Sequence, residues 1–246
     1  MYEAVHAHPE GESTVARMAA TAAAYGYEGI VVRNHVDAPA EYEAEQIEAA
    51  YGVDVVSGVE VRARDPSRAS GHLGTHRPRS TVLVLHGGTT ALNGFAVRQE
   101  RVDVLAHPMR GEGDLNHVMV RDAVEHGVRI EVNLDRVLRT SGGRRVRTVA
   151  GLRKLRELLE AYDAPFVVSG DPTSHLALRA PRELVAVGET IGFDREAIEA
   201  GLAEWGNIAS MNRELTSPEV VEPGVRRGRY EELEGADSGE SGGDDR

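Results

Sequence analysis

Six side chains able to bind a metal ion punctuate the sequence: His6, His8, His35, Glu60, His107 and Asp171. Each follows an apolar, β-branched run of strand length, so each would stand at the C-terminal end of a strand. Imidazoles and carboxylates gathered there could hold two or three divalent ions and lower the pKa of a bound water for phosphoester hydrolysis. Without further donors, the same groups would instead satisfy one another and water by hydrogen bonding, because metal affinity depends on ligand count and outer-shell support. His86 and His175 lie near the same strand ends, whereas His72, His76, His117 and His126 read as loop or helix-surface residues.

A second constellation is basic. Arg136, Arg139, Arg144, Arg145 and Arg147 crowd residues 136–147 around Gly142 and Gly143, and Arg110, Arg179 and Arg182 follow other expected strands. A guanidinium grips phosphate through a planar, bidentate fork and keeps its charge. The cluster therefore reads as an RNA-contact loop, although protein docking surfaces favour arginine too. Arg153 and Arg156 face Glu157 and Glu160 at neighbouring helical turns and read as a solvated, ion-paired face. Phe95, Phe166 and Phe193 fall in apolar patterns, leaving no stacking platform, so any RNA would be recognised by shape and backbone.

These groups need a frame that brings distant segments together. Strands are expected at 3–6, 29–33, 54–62, 81–86, 103–106, 128–134 and 165–170. Helices are expected at 14–25, 37–51, 116–126, 148–162, 181–191 and 194–205, and residues 63–80 read as a long polar loop. Past residue 181 the pattern is helical only, with no eighth strand. Strands alternating with helices imply a parallel sheet with right-handed crossovers. An incomplete TIM-type barrel of seven strands fits best, because such a barrel gathers its strand ends at one mouth. An open doubly wound sheet ranks second, since no Gly-x-Gly-x-x-Gly turn follows the first strand.

Composition bounds the setting. The 246 residues are 41% hydrophobic but only 4% aromatic, so Val, Leu, Ala and Ile must build the core. There is no cysteine, hence no disulfide or thiolate site. No apolar run approaches the ~20 residues that span a bilayer, and a soluble cytoplasmic protein is expected. Forty acids oppose 28 bases, and Lys154 is the sole lysine. A net charge of −12 would ordinarily argue against nucleic acid, since phosphate contacts dominate such binding. Acidity with arginine in place of lysine is also the mark of a salt-loving archaeon, where ~1 M salt screens charge within ~3 Å. Residues 1–230 read as one domain, and 231–246, with seven acids and one arginine, as a disordered acidic tail.

The spacing of His6-Ala-His8, His35, Gly58-Val-Glu60, His107 and Asp171-Pro-Thr173 resembles the PHP (polymerase and histidinol phosphatase) family, whose fold is a distorted TIM-like barrel of seven strands ringed by helices. It departs from that pattern at Thr173, where a histidine would close the set, and after His8, where Glu10 or Glu12 makes an unconvincing acid. A closer resemblance is to the archaeal ribonuclease P protein component 3 family. It rests on His6-Ala-His-Pro-Glu-Gly, Arg33-Asn-His, Gly58-Val-Glu, Ala106-His-Pro, the arginine-rich segment and its helix, Ser169-Gly-Asp and Leu178-Arg-Ala-Pro-Arg-Glu-Leu184. This resemblance implies a supporting subunit: the RNA component binds the divalent metal and removes the 5′ leader from precursor tRNA. The protein itself then has no cofactor, metal ligand or catalytic residue. Its implied partners are the ribonuclease P RNA, precursor tRNA and other protein subunits, chiefly component 2. The competing expectations are a metal-dependent PHP phosphoesterase and a protein-binding barrel with no RNA role.

Overall fold

Seven short runs built on valine, isoleucine and leucine form the sheet: β1 (Tyr2–Val5), β2 (Gly29–Val32), β3 (Asp54–Val61), β4 (Val82–His86), β5 (Val104–Ala106), β6 (Arg129–Asn133) and β7 (Phe166–Ser169). In this computed structural model, which describes residues 1–216, 220–222 and 225–226, they pair in parallel and in sequence order. Helices fill the crossovers: α1 (Val15–Tyr25), α2 (Ala44–Tyr51), α3 (Pro66–His76), α4 (Thr90–Ala96), α5 (His117–His126), α6 (Asp135–Arg139) and α7 (Gly142–Ala161). After β7 come α8 (Pro181–Ile191), α9 (Arg195–Thr216) and an antiparallel pair, β8 (Val220–Glu222) with β9 (Val225–Arg226). The result is a nearly closed, TIM-like barrel. Its sequential strand order has no reversal point, which sets aside the doubly wound alternative.

Strand periodicity divides the interior into two layers, because residues two apart share a face. Ala4, Val31, Val56, Val82, Val84, Val104, Ala106 and Val167 form one buried cluster with Trp205, Ile208 and Ala209 of α9. Side chains from six strands can meet one helix only inside the barrel, so α9 is its floor. It crosses the N-terminal strand ends, where Asn212 donates to Thr81 O and Asp103 Oδ1, both at 2.9 Å. Arg213 there grips the Asp54 carboxylate through two 2.8 Å bonds. Farther along the inward strand faces the residues are polar: His6, Arg33, Glu60, His86, Glu131 and Ser169.

The seam between β1 and β7 is closed by other means. Glu3, fully buried, accepts from Gly170 N at 3.0 and 3.1 Å, and His6 N donates to Pro172 O at 3.1 Å. α9 covers the same seam, with Trp205 Nε1 donating to Val168 O at 2.9 Å. Its fit requires Gly201 and Gly206, where a Cβ would stand 2.6 Å from Val168 Cγ2 and 2.5 Å from the Tyr2 ring.

Several helices differ from expectation. The supposed loop 63–80 contains α3, capped by Asp65 with Pro66 in its first turn; only Ala69 and Leu73 are buried, so little periodicity was visible. The 37–51 helix starts only at Ala44, the preceding segment being held by Asn34 Nδ2 donating to Ala38 O at 2.9 Å. The 148–162 helix begins at Gly142, so Gly142 and Gly143 open a helix. The last helix runs past Trp205 to Thr216, and β8 with β9 corrects the all-helical reading beyond residue 181. Thr14 caps α1, which buries Val15, Met18, Ala19 and Ala22. The 231–246 tail lies outside the described residues.

Candidate functional site: the barrel mouth and an arginine-lined groove

The C-terminal strand ends converge, and at their centre stands a residue absent from the expected donor set. Arg33, following β2, is completely buried. Its Nη1 reaches Glu131 Oε1 at 2.6 Å, its Nη2 reaches Asp171 Oδ1 at 2.8 Å, and its Nε lies 3.3 Å from Glu60 Oε2. From below, the Trp205 ring centroid lies 5.8 Å from the guanidinium carbon. Ser169 Oγ (2.5 Å) and His107 N (3.1 Å) also donate to the Glu131 carboxylate, and Asn133 Nδ2 donates to Asp171 Oδ2 at 3.1 Å.

Imidazoles ring this core. His6 Nε2 lies 3.1 Å from Asp171 Oδ1, and His35 Nε2 lies 3.4 Å from both His86 Nδ1 and Glu60 Oε1. His86 Nδ1 bonds to Glu60 Oε1, and His107 Nε2 is 3.6 Å from Asp171 Oδ2. Glu10 takes the acid position after the His-x-His motif. It accepts from His35 N at 2.8 Å, lies 3.2 Å from His6 Nδ1 and bonds to His35 Nδ1. His8, by contrast, is exposed and stands outside the cluster. His6, His35, Glu60, His107 and Asp171 therefore meet as expected.

Charge inside the mouth is settled within the chain. Burial alone would raise the pKa of Glu60 and Asp171, but Arg33 and the histidines hold both well below the carboxylate range. Burial opposes protonation of His6, yet its bonds to Asp171 and Glu10 push its pKa up to about 9. His35 is raised through Glu10 and Glu60 despite the same opposition, while burial dominates at His107 and lowers it. At the seam, burial raises Glu3 to about 8.

Donor atoms of His6, Glu10 and His35, and of His35, Glu60 and His86, cluster within 4.8 Å. The PHP fold implies a centre of two or three ions, which needs carboxylates to share among them. Here Glu131 and Asp171 are bonded to Arg33, and Glu60 lies against it. The residues therefore do not fit a multinuclear centre.

The expected arginines divide. Arg136, Arg144 and Arg147 line a cleft of about 400 Å³ with Met109, Gly111, Thr140 and Thr148. An adjoining pocket, bounded by Arg110, Arg136, Arg147, Asn133 and His107, leads from it to the mouth. Among the described residues, Arg110, Arg136, Arg144 and Arg147 have no ion-pair partner. Arg139 is tied to Asp135 and to Gly170 O, Arg145 to Thr140 O, and Arg179 to carbonyls of its own loop. Arg182 is exposed on α8, apart from the groove. Arg156 pairs with Glu160 as expected, but Arg153 donates to Ile191 O.

Arg33, named only within the Arg33-Asn-His motif, and Glu131 are absent from the expected site residues because each lies in a run that reads as buried strand. That was the available signal: a charge in a strand buried on both faces needs an opposite charge from elsewhere in the fold.

A family model described as RNase P subunit p30 matches residues 1–216. The chain is 60% identical over 226 residues to ribonuclease P protein component 3 of Haloarcula marismortui, spanning 92% of this chain and 96% of that protein. Among solved structures, it is similar to a chain in the cryo-EM structure of archaeal ribonuclease P with mature tRNA. There the TM-score is 0.80 at 22% identity, over 94% of this chain and 99% of that one. The zinc-complexed histidinol phosphate phosphatase of Lactococcus lactis gives 0.50 at 11% identity, over 78% and 94%. At these identities the structural likenesses speak for the fold.

Proposed function

The chain belongs to the RNase P subunit p30 family, and we propose that it works there as a scaffold that grips RNA backbone while catalysis stays with the RNA. It is a protein subunit of ribonuclease P, a complex that processes tRNA. The observation that carries the reading is the cleft lined by Arg136, Arg144 and Arg147, guanidiniums left without carboxylate partners on a chain of net charge −12. Such a surplus of acids makes free arginines gathered in one groove costly unless an anion of another molecule completes them.

Arg110 extends this surface toward the mouth, Arg139, Arg145 and Arg179 border it, and Arg182 stands farther off on α8. Ribonuclease P RNA and precursor tRNA are the proposed ligands, and component 2 the main protein partner, in the cytoplasm. The divalent ions of catalysis belong, on this reading, to the RNA. Arg33 supports that assignment, because a guanidinium offers positive charge but no open coordination position to activate water.

The test is reconstitution of 5′-leader cleavage with the Arg136→Ala/Arg144→Ala/Arg147→Ala chain in molar KCl. Cleavage support and RNA affinity should fall at least tenfold, with the salt dependence of binding shallower by about two to three charges and unchanged circular dichroism. Full support from the triple variant would refute the groove's role. No specific observation favours the phosphoesterase.

A further inference from the structure

The mouth contains a cation of this chain where its donors would suit another kind. We propose that Arg33 stands in for a divalent metal ion, and that shortening it opens a site for one manganese or zinc ion among Glu60, Glu131, Asp171 and His6.

The cage is already assembled around the guanidinium. Its three carboxylate contacts, at 2.6, 2.8 and 3.3 Å, come from three different strand ends. His6 Nε2 supplies a fourth donor, 3.1 Å from Asp171 Oδ1 and 3.7 Å from Glu60 Oε2. Metal–ligand bonds of 2.0–2.2 Å put neighbouring donors about 3–3.5 Å apart; the two His6 spacings are near that range, while the carboxylates, held farther apart by the guanidinium between them, must draw inward around an ion. Arg33 and Glu60 are 0% exposed and Glu131 1%, so bulk solvent is largely kept from replacing a lost charge. One lone pair is still free: Glu60 Oε2 is buried with no hydrogen-bond partner and points into this space. Ser169, His107 N and Asn133 hold the Glu131 and Asp171 carboxylates from outside, as outer-shell groups hold metal ligands. The inference concerns the barrel alone and holds whichever RNA the groove contacts.

The test compares the wild type, Arg33→Ala and Arg33→Lys, each stripped with chelator and then titrated with manganese chloride in molar KCl, reading bound metal per chain and thermal midpoint. Arg33→Ala should take up one ion per chain more than the wild type, and its midpoint should rise by about 5 °C or more as the ion binds the folded state. Wild type and Arg33→Lys, which keep a resident positive charge, should show neither change. Adding Glu131→Ala to Arg33→Ala should abolish the extra ion. Equal metal content in the wild type and Arg33→Ala would overturn the proposal. So would an Arg33→Ala chain that stays unfolded at every manganese concentration, or an extra ion that survives loss of Glu131.

Discussion

Two arginine environments lie side by side in this barrel, and their contrast is instructive. Arg33 is sealed among three carboxylates and a tryptophan, every charge answered by the chain itself. Arg136, Arg144 and Arg147 line an open cleft and make no ion pair among the described residues. The first arrangement turns a potential reaction centre into internal bracing. The second leaves charge available to whatever binds. One residue type thus serves architecture or recognition according to whether the fold supplies its counter-ions.

The sharpest way to break this contrast is to remove one arginine from each side. Arg33→Ala leaves buried carboxylates uncompensated and should cost about 3–5 kcal/mol. Arg144→Ala should stay within about 0.5 kcal/mol, as exposed substitutions do. Denaturant titration in molar KCl would show both, and equal costs would erase the distinction.

A smaller effect separates the two regions by pH. His6 has its folded pKa raised to about 9, so the stability it contributes is complete below 6.5 and is lost as pH climbs through 9. Glu3, raised to about 8 from 4.5, is penalised progressively over that interval as its ionised form becomes the favoured one in the unfolded chain. Both slopes run the same way, so the thermal midpoint should be higher at pH 6 than at pH 9, by several degrees. Glu3→Gln should flatten the profile below pH 8. RNA affinity through the groove should not follow the midpoint.

The smallest effect concerns the boundary of the groove. Arg182→Ala, on α8 away from the cleft, should weaken RNA binding less than twofold, whereas Arg136→Ala should weaken it several-fold in the same filter-binding series. Equal losses would spread the contact surface well beyond the cleft.

The strands were legible because residues buried on both faces leave unbroken β-branched runs, and the convergence of His6, His35, Glu60, His107 and Asp171 followed from placing those runs in a barrel. Helix α3 was hidden by its Gly, Ser and His content, since two buried residues make no stripe. The last helix was expected to stop at residue 205 but runs on to Thr216, with Gly206 admitting the Tyr2 ring. His8 was misjudged because its strand stops at Val5, leaving it beyond the turn. Glu10 reaches His6 and His35 only through the path of that turn, which residue spacing does not encode.

The floor of the barrel is laid last. All seven barrel strands have been synthesised before Arg195 is added, yet the apolar undersides of six of them have no cover until Trp205, Ile208 and Ala209 arrive. A nascent chain halted short of that helix would be a curled sheet with a wet, greasy underside, so its release from chaperones should hinge on the codons of that helix.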